Sequence, residues 1–191
     1  MGENINCNLP GFRCKNRSQT QDSLTLLRMP AAMTLDPFDI AILEILQKDN
    51  SVPQRAIAEA VHLSAPAVQR RIRKLQDSGV IRANVAVLDA AKIGLPLTII
   101  TEVHIENERP DRTAPLRARI AAEPAVQQCY SVTGEADYVL IVTVASMADY
   151  EALTRRLFEG DDNIRRFRTS VTLGWLKSSM QLPLDKVLPG G

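Results

Sequence analysis

SVPQRAIAEAVHLSAPAVQRRIRKLQDSGVIR, residues 51–82, decides how the rest of the chain is read. Pro53 opens a short helix over 54–61, with Ile57, Ala58 and Val61 inward. His62 and Leu63 form a turn. Ser64 caps a second helix, and Pro66 sits in its first turn, where the missing N–H does no harm. Val68, Ile72 and Leu75 follow at spacings of four and three, which places them on one face. Gly79 stands where a helix C-terminus favours a left-handed residue. The opposite face carries Pro66, Arg70, Arg73, Lys74 and Asp77, with Gln69 on the flank. Between Ser64 and Arg82 there are five basic residues and one acid. Two helices joined this tightly, the second one basic, are a helix-turn-helix pattern.

That local charge matters because the chain as a whole has little. It has 191 residues and a formal net charge of +1. Overall charge therefore gives no argument for nucleic acid, and the argument rests on where the charges sit. Aromatics are few, so aliphatic side chains must form the cores. Cys7, Cys14 and Cys129 have no spacing of a disulfide framework or zinc site, which fits a reducing, cytoplasmic setting. No apolar run approaches the roughly 20 residues that span a bilayer, and the N-terminus lacks a secretory apolar core.

Upstream, Asp36 is an N-cap, Pro37 suits the first helical position, and Asp39 complements the helix dipole. Ile40, Leu43, Ile45 and Leu46 then give a broad apolar face. Three helices make a small domain over 34–82. Residues 1–33 have no sustained periodicity and are expected to be disordered. Two alternatives stay open: translation starting at Met29 or Met33, or an arm lying on DNA through Arg13, Lys15 and Arg17.

Downstream, Val80, Ile81, Val85 and Val87 predict a strand over 80–88 leaving the helical unit and running into a linker over 83–96. The second half is rhythmic. Strands are predicted over 97–105, 126–133, 138–144 and 168–176, with helices over 114–122 and 148–158. The order β-α-β-β-α-β is the ferredoxin-like split βαβ unit. The fold class is therefore α+β: a three-helix, winged-helix-like domain and an αβ-sandwich over 97–177, then a tail over 178–191. Two helices cover one sheet face. The other, on which Ile99 is expected, is left for a second copy to cover.

This arrangement resembles the Lrp/AsnC family of transcriptional regulators. The resemblance rests on Leu35, Asp36, Asp39, Ile42 and Leu43, then Leu46, Gln47 and Asp49. Val61, Leu63, Ser64, Val68, Arg71, Ile72, Leu75, Gly79, Val80 and Ile81 continue it, as do Leu88, Asp89 and Gly94. Val132, Thr133, Gly134, Asp137 and Tyr138 carry it in the second domain. It spans roughly 35–184. His62 departs from it, standing where the family commonly has Gly. The resemblance implies sequence-specific DNA binding, assembly into dimers and then tetramers or octamers, and an amino-acid effector site formed between subunits.

The second helix presents its first turns to base edges if it enters a major groove. Ser64, Ala65, Pro66, Gln69, Arg70 and Arg73 are expected to face DNA. Gln69 has the geometry for adenine and Arg70 for guanine or phosphate. Arg71, Lys74 and Arg82 are expected on phosphates, with Gln54 and Arg55 touching backbone. The competing reading is a solvated basic helix used for protein contacts. The turn Thr133-Gly134-Glu135-Ala136-Asp137-Tyr138 is the expected effector site, with Ser170 and Thr172 lining it. Glycine permits close approach, successive N–H groups suit a carboxylate, and Asp137 suits an ammonium group. A plain turn that needs Gly and Asp only for shape is the alternative. His62 and His104 lack ligand-spaced neighbours and read as structural or surface residues. Cys129 reads as buried. No nucleophile–base constellation supports catalysis, and no cofactor or metal is expected.

Overall fold

The computed structural model describes residues 34–186. The disordered extension expected over 1–33 lies outside the described residues. Five helices and a four-stranded antiparallel sheet form the two expected layers.

The helical unit comprises α1 (Pro37–Leu46), α2 (Gln54–Ala60) and α3 (Ala65–Asp77). Asp36 caps α1 by accepting from the Asp39 N–H at 2.8 Å, while Asp39 accepts from the Asp36 N–H at 3.3 Å. Two orphan donors are thus satisfied reciprocally. Ser64 caps α3 through the Ala67 N–H at 3.4 Å. Ile42, Ile57, Ala58, Val61 and Val68 form the core. Burying an aliphatic side chain of this size stabilises by about 1.5–3 kcal/mol. His62 in the α2–α3 turn has φ of 55°, the left-handed region that glycine enters more easily. That explains why its position favours Gly.

The chain from Val80 to Leu88 forms no strand. Val85, Val87 and Leu88 are exposed. β-branched alternation supplies side chains for a pleat, but a strand also needs a ladder partner, and none lies there among the described residues. A short 3-10 turn, Ala91–Ile93, then leads into the sandwich.

The sandwich comprises β1 (Leu97–Ile105), α4 (Pro110–Ala122), β2 (Val126–Ser131), β3 (Tyr138–Val144), α5 (Met147–Phe158) and β4 (Ile164–Val171). Strand order is β2-β3-β1-β4. β1 and β3 match the predicted spans. α4 begins four residues before the predicted 114: Pro110 opens it, and Pro115 lies inside the helix. β2 ends two residues earlier than expected. β4 starts four residues and ends five residues earlier than expected, because an edge strand open to solvent tolerates Arg165, Arg166 and Arg168.

Register fixes the faces. Ile99 pairs with Val142, Thr101 with Leu140 and Val103 with Tyr138. These residues point at α4 and α5, so Ile99 belongs to the helix-packed core, fully buried, and not to the open face. Period-two alternation finds the two faces of a strand but not which one the helices take. The open face instead carries Ile100, Val139, Ile141, Thr143 and the Glu102–Arg168 pair. Cys129 is also corrected. It lies on edge strand β2 and is exposed.

Candidate functional site

The first candidate surface is the outer side of α3. Its inner side is held by Val68 and Leu75, both fully buried. Helical periodicity then turns Gln69, Arg70, Arg73 and Lys74 to solvent. Ser64 and Pro66 are exposed beside them, and Ala65 is half-buried. Gln54 and Arg55 are exposed at the start of α2. Arg55 is bound to Glu59 at 3.3 Å on the same helix face, a weak surface pair. Arg82 is exposed beyond the end of α3. Among the described residues, Arg70, Arg73, Lys74 and Arg82 engage in no ion pair.

Arg71 departs from the expectation. Its guanidinium donates to Asp36 at 2.6 Å and Asp39 at 2.7 Å. The same guanidinium lies 5.4 Å from the Phe38 ring centroid. Arg71 thus ties α3 to the capping box of α1 and is not available to phosphate. Its position among four neighbouring cations gave no sign of this, because its partners lie 32 and 35 residues away. Burial pushes the Asp36 carboxyl up. The Asp39 N–H and the Arg71 guanidinium outweigh it and hold Asp36 below the ordinary carboxylate value.

The second candidate surface is the β2–β3 turn. Thr133, Gly134 and Glu135 are exposed, and Ala136 and Asp137 half-buried. Gly134 has φ of 127°, which a side chain would strain. Among the described residues, the backbone N–H groups of Gly134, Glu135 and Ala136 donate to no protein acceptor. One Asp137 oxygen accepts from the Ile105 N–H at 2.8 Å, and the Asp137 N–H donates to the Val103 carbonyl at 3.0 Å. Asp137 therefore anchors the turn to β1, a role in shape as well as charge.

Three expected members of this site are placed elsewhere within one chain. Tyr138 is buried on the helix side, and its hydroxyl accepts from Arg117 Nε at 3.1 Å. Ser170 lies opposite Ile100, whereas Asp137 meets β1 at Val103 and Ile105. At about 3.3 Å per residue, Ser170 and the turn are roughly 13 Å apart along β1. Thr172 is committed to the Thr98 carbonyl, through its N–H at 3.0 Å and its hydroxyl at 2.9 Å. A residue that the sequence did not single out here is His104. It is 6% exposed, and its Nε2 has no partner.

Among the described residues no group of His, Cys, Asp and Glu side chains is placed to hold a metal ion. No described helix is long and apolar enough to cross a membrane.

Known proteins match both domains. Residues 35–82 match the winged helix-turn-helix DNA-binding family, and residues 98–182 the Lrp/AsnC ligand binding domain. An HTH-type transcriptional regulator of Sinorhizobium fredii is 38% identical over 81% of this chain and 91% of its own length. The leucine-responsive regulatory protein of Rhizobium meliloti is 30% identical over 82% of this chain and its full length. The crystal structure of an AsnC family transcriptional regulator from Agrobacterium tumefaciens superposes with a TM-score of 0.75 at 30% identity, covering 81% of this chain and 100% of that one. A Neisseria meningitidis transcriptional regulator solved with L-methionine gives 0.73 at 29% identity, covering 81% of this chain and 100% of that one. A helix-turn-helix unit and a ligand-binding sandwich in this order, with these matches, place the chain in the Lrp/AsnC family of DNA-binding transcriptional regulators.

Proposed function

We propose that the protein acts in the cytoplasm as an effector-controlled, sequence-specific regulator, with residues 34–82 reading DNA and 97–177 sensing an amino acid and joining copies. The observation that carries the DNA surface is the contrast on α3 between Arg71, committed to two aspartates, and Arg70, Arg73 and Lys74, committed to none. Unpaired cations on one helix face are what a phosphate backbone neutralises. Gln69 and Arg70, nearest the start of α3, read base edges. Arg73, Lys74 and Arg82 take phosphates, and Gln54 and Arg55 extend the contact along the backbone.

Pairing of two copies supports specificity, since one short helix makes too few base contacts to select a site. Two such helices in successive major grooves read half-sites about one turn apart. The open sheet face, with Ile100, Val139 and Ile141 partly exposed, is the surface that a second copy covers. Further assembly into tetramers or octamers brings one turn of residues 133–137 against another subunit. There the free N–H groups of Gly134, Glu135 and Ala136 take the carboxylate of an amino acid. The methionine in the Neisseria regulator supports that ligand class. An effector of this kind acts by favouring one assembly over another.

Titration calorimetry with a panel of amino acids tests the effector site. Heat is expected with at least one of them for the wild type and none for Gly134→Trp. Silence across the whole panel with the wild type removes the amino-acid reading. A gel-shift series over rising salt, on genomic fragments, tests the DNA surface independently.

A further inference from the structure

We propose that Gln47 is a positioning residue, clamping the C-terminal tail onto the helical unit so that α3 is held in one orientation relative to the sheet. The tail leaves β4 at Thr172, which is bound twice to the Thr98 carbonyl. Its next apolar residues, Leu173, Trp175 and Leu176, are exposed, so burial does not hold this segment. Among the described residues it is caught again at Gln47. There the side-chain amide donates to the Leu182 carbonyl at 3.0 Å and accepts from the Leu182 N–H at 3.0 Å. Gln181 adds a bond from its Nε2 to the Gln47 carbonyl at 3.4 Å.

A side-chain amide has one donor and one acceptor in the arrangement of a peptide group. Gln47 uses both on one residue of the tail. It does so across 135 residues of sequence, from the C-cap position of α1. At its other end α1 is bound to α3 through Asp36, Asp39 and Arg71. A continuous path therefore runs from the sheet at Thr98, along the tail, through Gln47 and α1, to α3. The linker over 83–96 is the first connection between sheet and helical unit, and this strap is the second. Its bonds are few and exposed, hence individually weak. A weak second tether suits an element that must release when the sandwich changes state.

The proposal rests on the DNA-reading role of α3 only for its consequence, and its test does not use DNA. Amide exchange on the full chain reads the clamp. In the wild type the Leu182 N–H is protected. Gln47→Ala exposes it, with exchange about tenfold faster. Gln47→Glu replaces the donor by an oxygen set against the Leu182 carbonyl and is expected to lose the protection too, while unfolding stability unchanged in both variants separates loss of the bond from loss of a fold.

Nitroxides on Cys129 and on Gln76→Cys, in a Cys7→Ser, Cys14→Ser chain diluted with unlabelled protein, read the orientation of α3 relative to the sheet. The distance distribution is expected to be narrow in the wild type and broad in Gln47→Ala and Gln47→Glu. Unchanged Leu182 exchange in Gln47→Ala overturns the clamp. Faster exchange with an unchanged distance distribution overturns the positioning role.

Discussion

The outer face of α3 and the helical layer of the sandwich treat arginine in opposite ways. On α3, Arg70, Arg73 and Lys74 stand in solvent and, among the described residues, none of them forms an ion pair. In the sandwich, Arg112 meets Asp162 at 2.9 Å, Arg156 meets Glu123 at 3.0 Å, and Arg119 meets Asp161. The paired layer spends its charge internally and presents little to a polyanion. The unpaired helix keeps its charge for a partner outside the chain. Arg71 sharpens the difference, since it sits on α3 yet behaves like the sandwich arginines. Proximity in sequence therefore does not assign an arginine to DNA. Its acidic neighbours in space do.

Arg71→Leu should break the comparison most visibly. It leaves the Asp39 carboxylate, whose side chain is 3% exposed, without its guanidinium. We expect a loss of about 2–3 kcal/mol, between a surface pair and a fully buried one, measured by denaturant unfolding. The pH dependence has a definite sign. Asp36 has a folded pKa below its ordinary 3.8. A depressed carboxylate contributes stability that is fully present above the unfolded value and lost as pH falls through the folded one. The gap between wild type and Arg71→Leu should therefore be widest near neutrality and shrink below pH 3.8. A gap that is flat down to the acid transition rules out the carboxylates as its source.

Arg70→Ala should do the reverse. Unfolding stability is expected to stay within about 0.5 kcal/mol, since the side chain is exposed and unpaired. Affinity for selected DNA should fall by about 1–3 kcal/mol if a base is read. Lys74→Ala should instead reduce the slope of log affinity against log salt by about one, for a single lost phosphate contact. Equal affinities and slopes for wild type and both variants would move the DNA surface off this face of α3.

The smallest expected effect is at the turn between α2 and α3. His62→Gly relieves a left-handed backbone but frees the unfolded chain, and the two oppose each other. A net gain of up to about 1 kcal/mol is expected, read by thermal unfolding. A clear loss would mean that the imidazole makes a contact of its own.

Much of this was legible in the chain. Ser64, Pro66 and the spacing of Val68 and Leu75 announce α3, because a cap and a helical stripe are set by neighbours within a turn. The alternation from Tyr138 to Val144 announces β3 for the same reason. The prediction went wrong where a partner far along the chain decides. Ile99 faces the helices because of its pairing with Val142. The segment Val80–Leu88 lacks a ladder within one chain. Ile164 to Phe167 is a strand because β1 offers an edge, not because its residues favour one. The expected effector residues Tyr138, Ser170 and Thr172 diverge because register sends them to different faces and heights of the sheet.

By itself, then, the sequence determined the order of elements, the helix-turn-helix and which residues on α3 can meet solvent. These follow from capping, periodicity and turn chemistry, all short-ranged. The tertiary structure alone decided which arginine is free, which face of β1 is buried and what holds the tail. Those outcomes depend on bonds such as Arg71 to Asp39 and Gln47 to Leu182, which span 32 and 135 residues. No local pattern encodes contacts at that range, because the distance between such residues is set only once the chain has closed on itself.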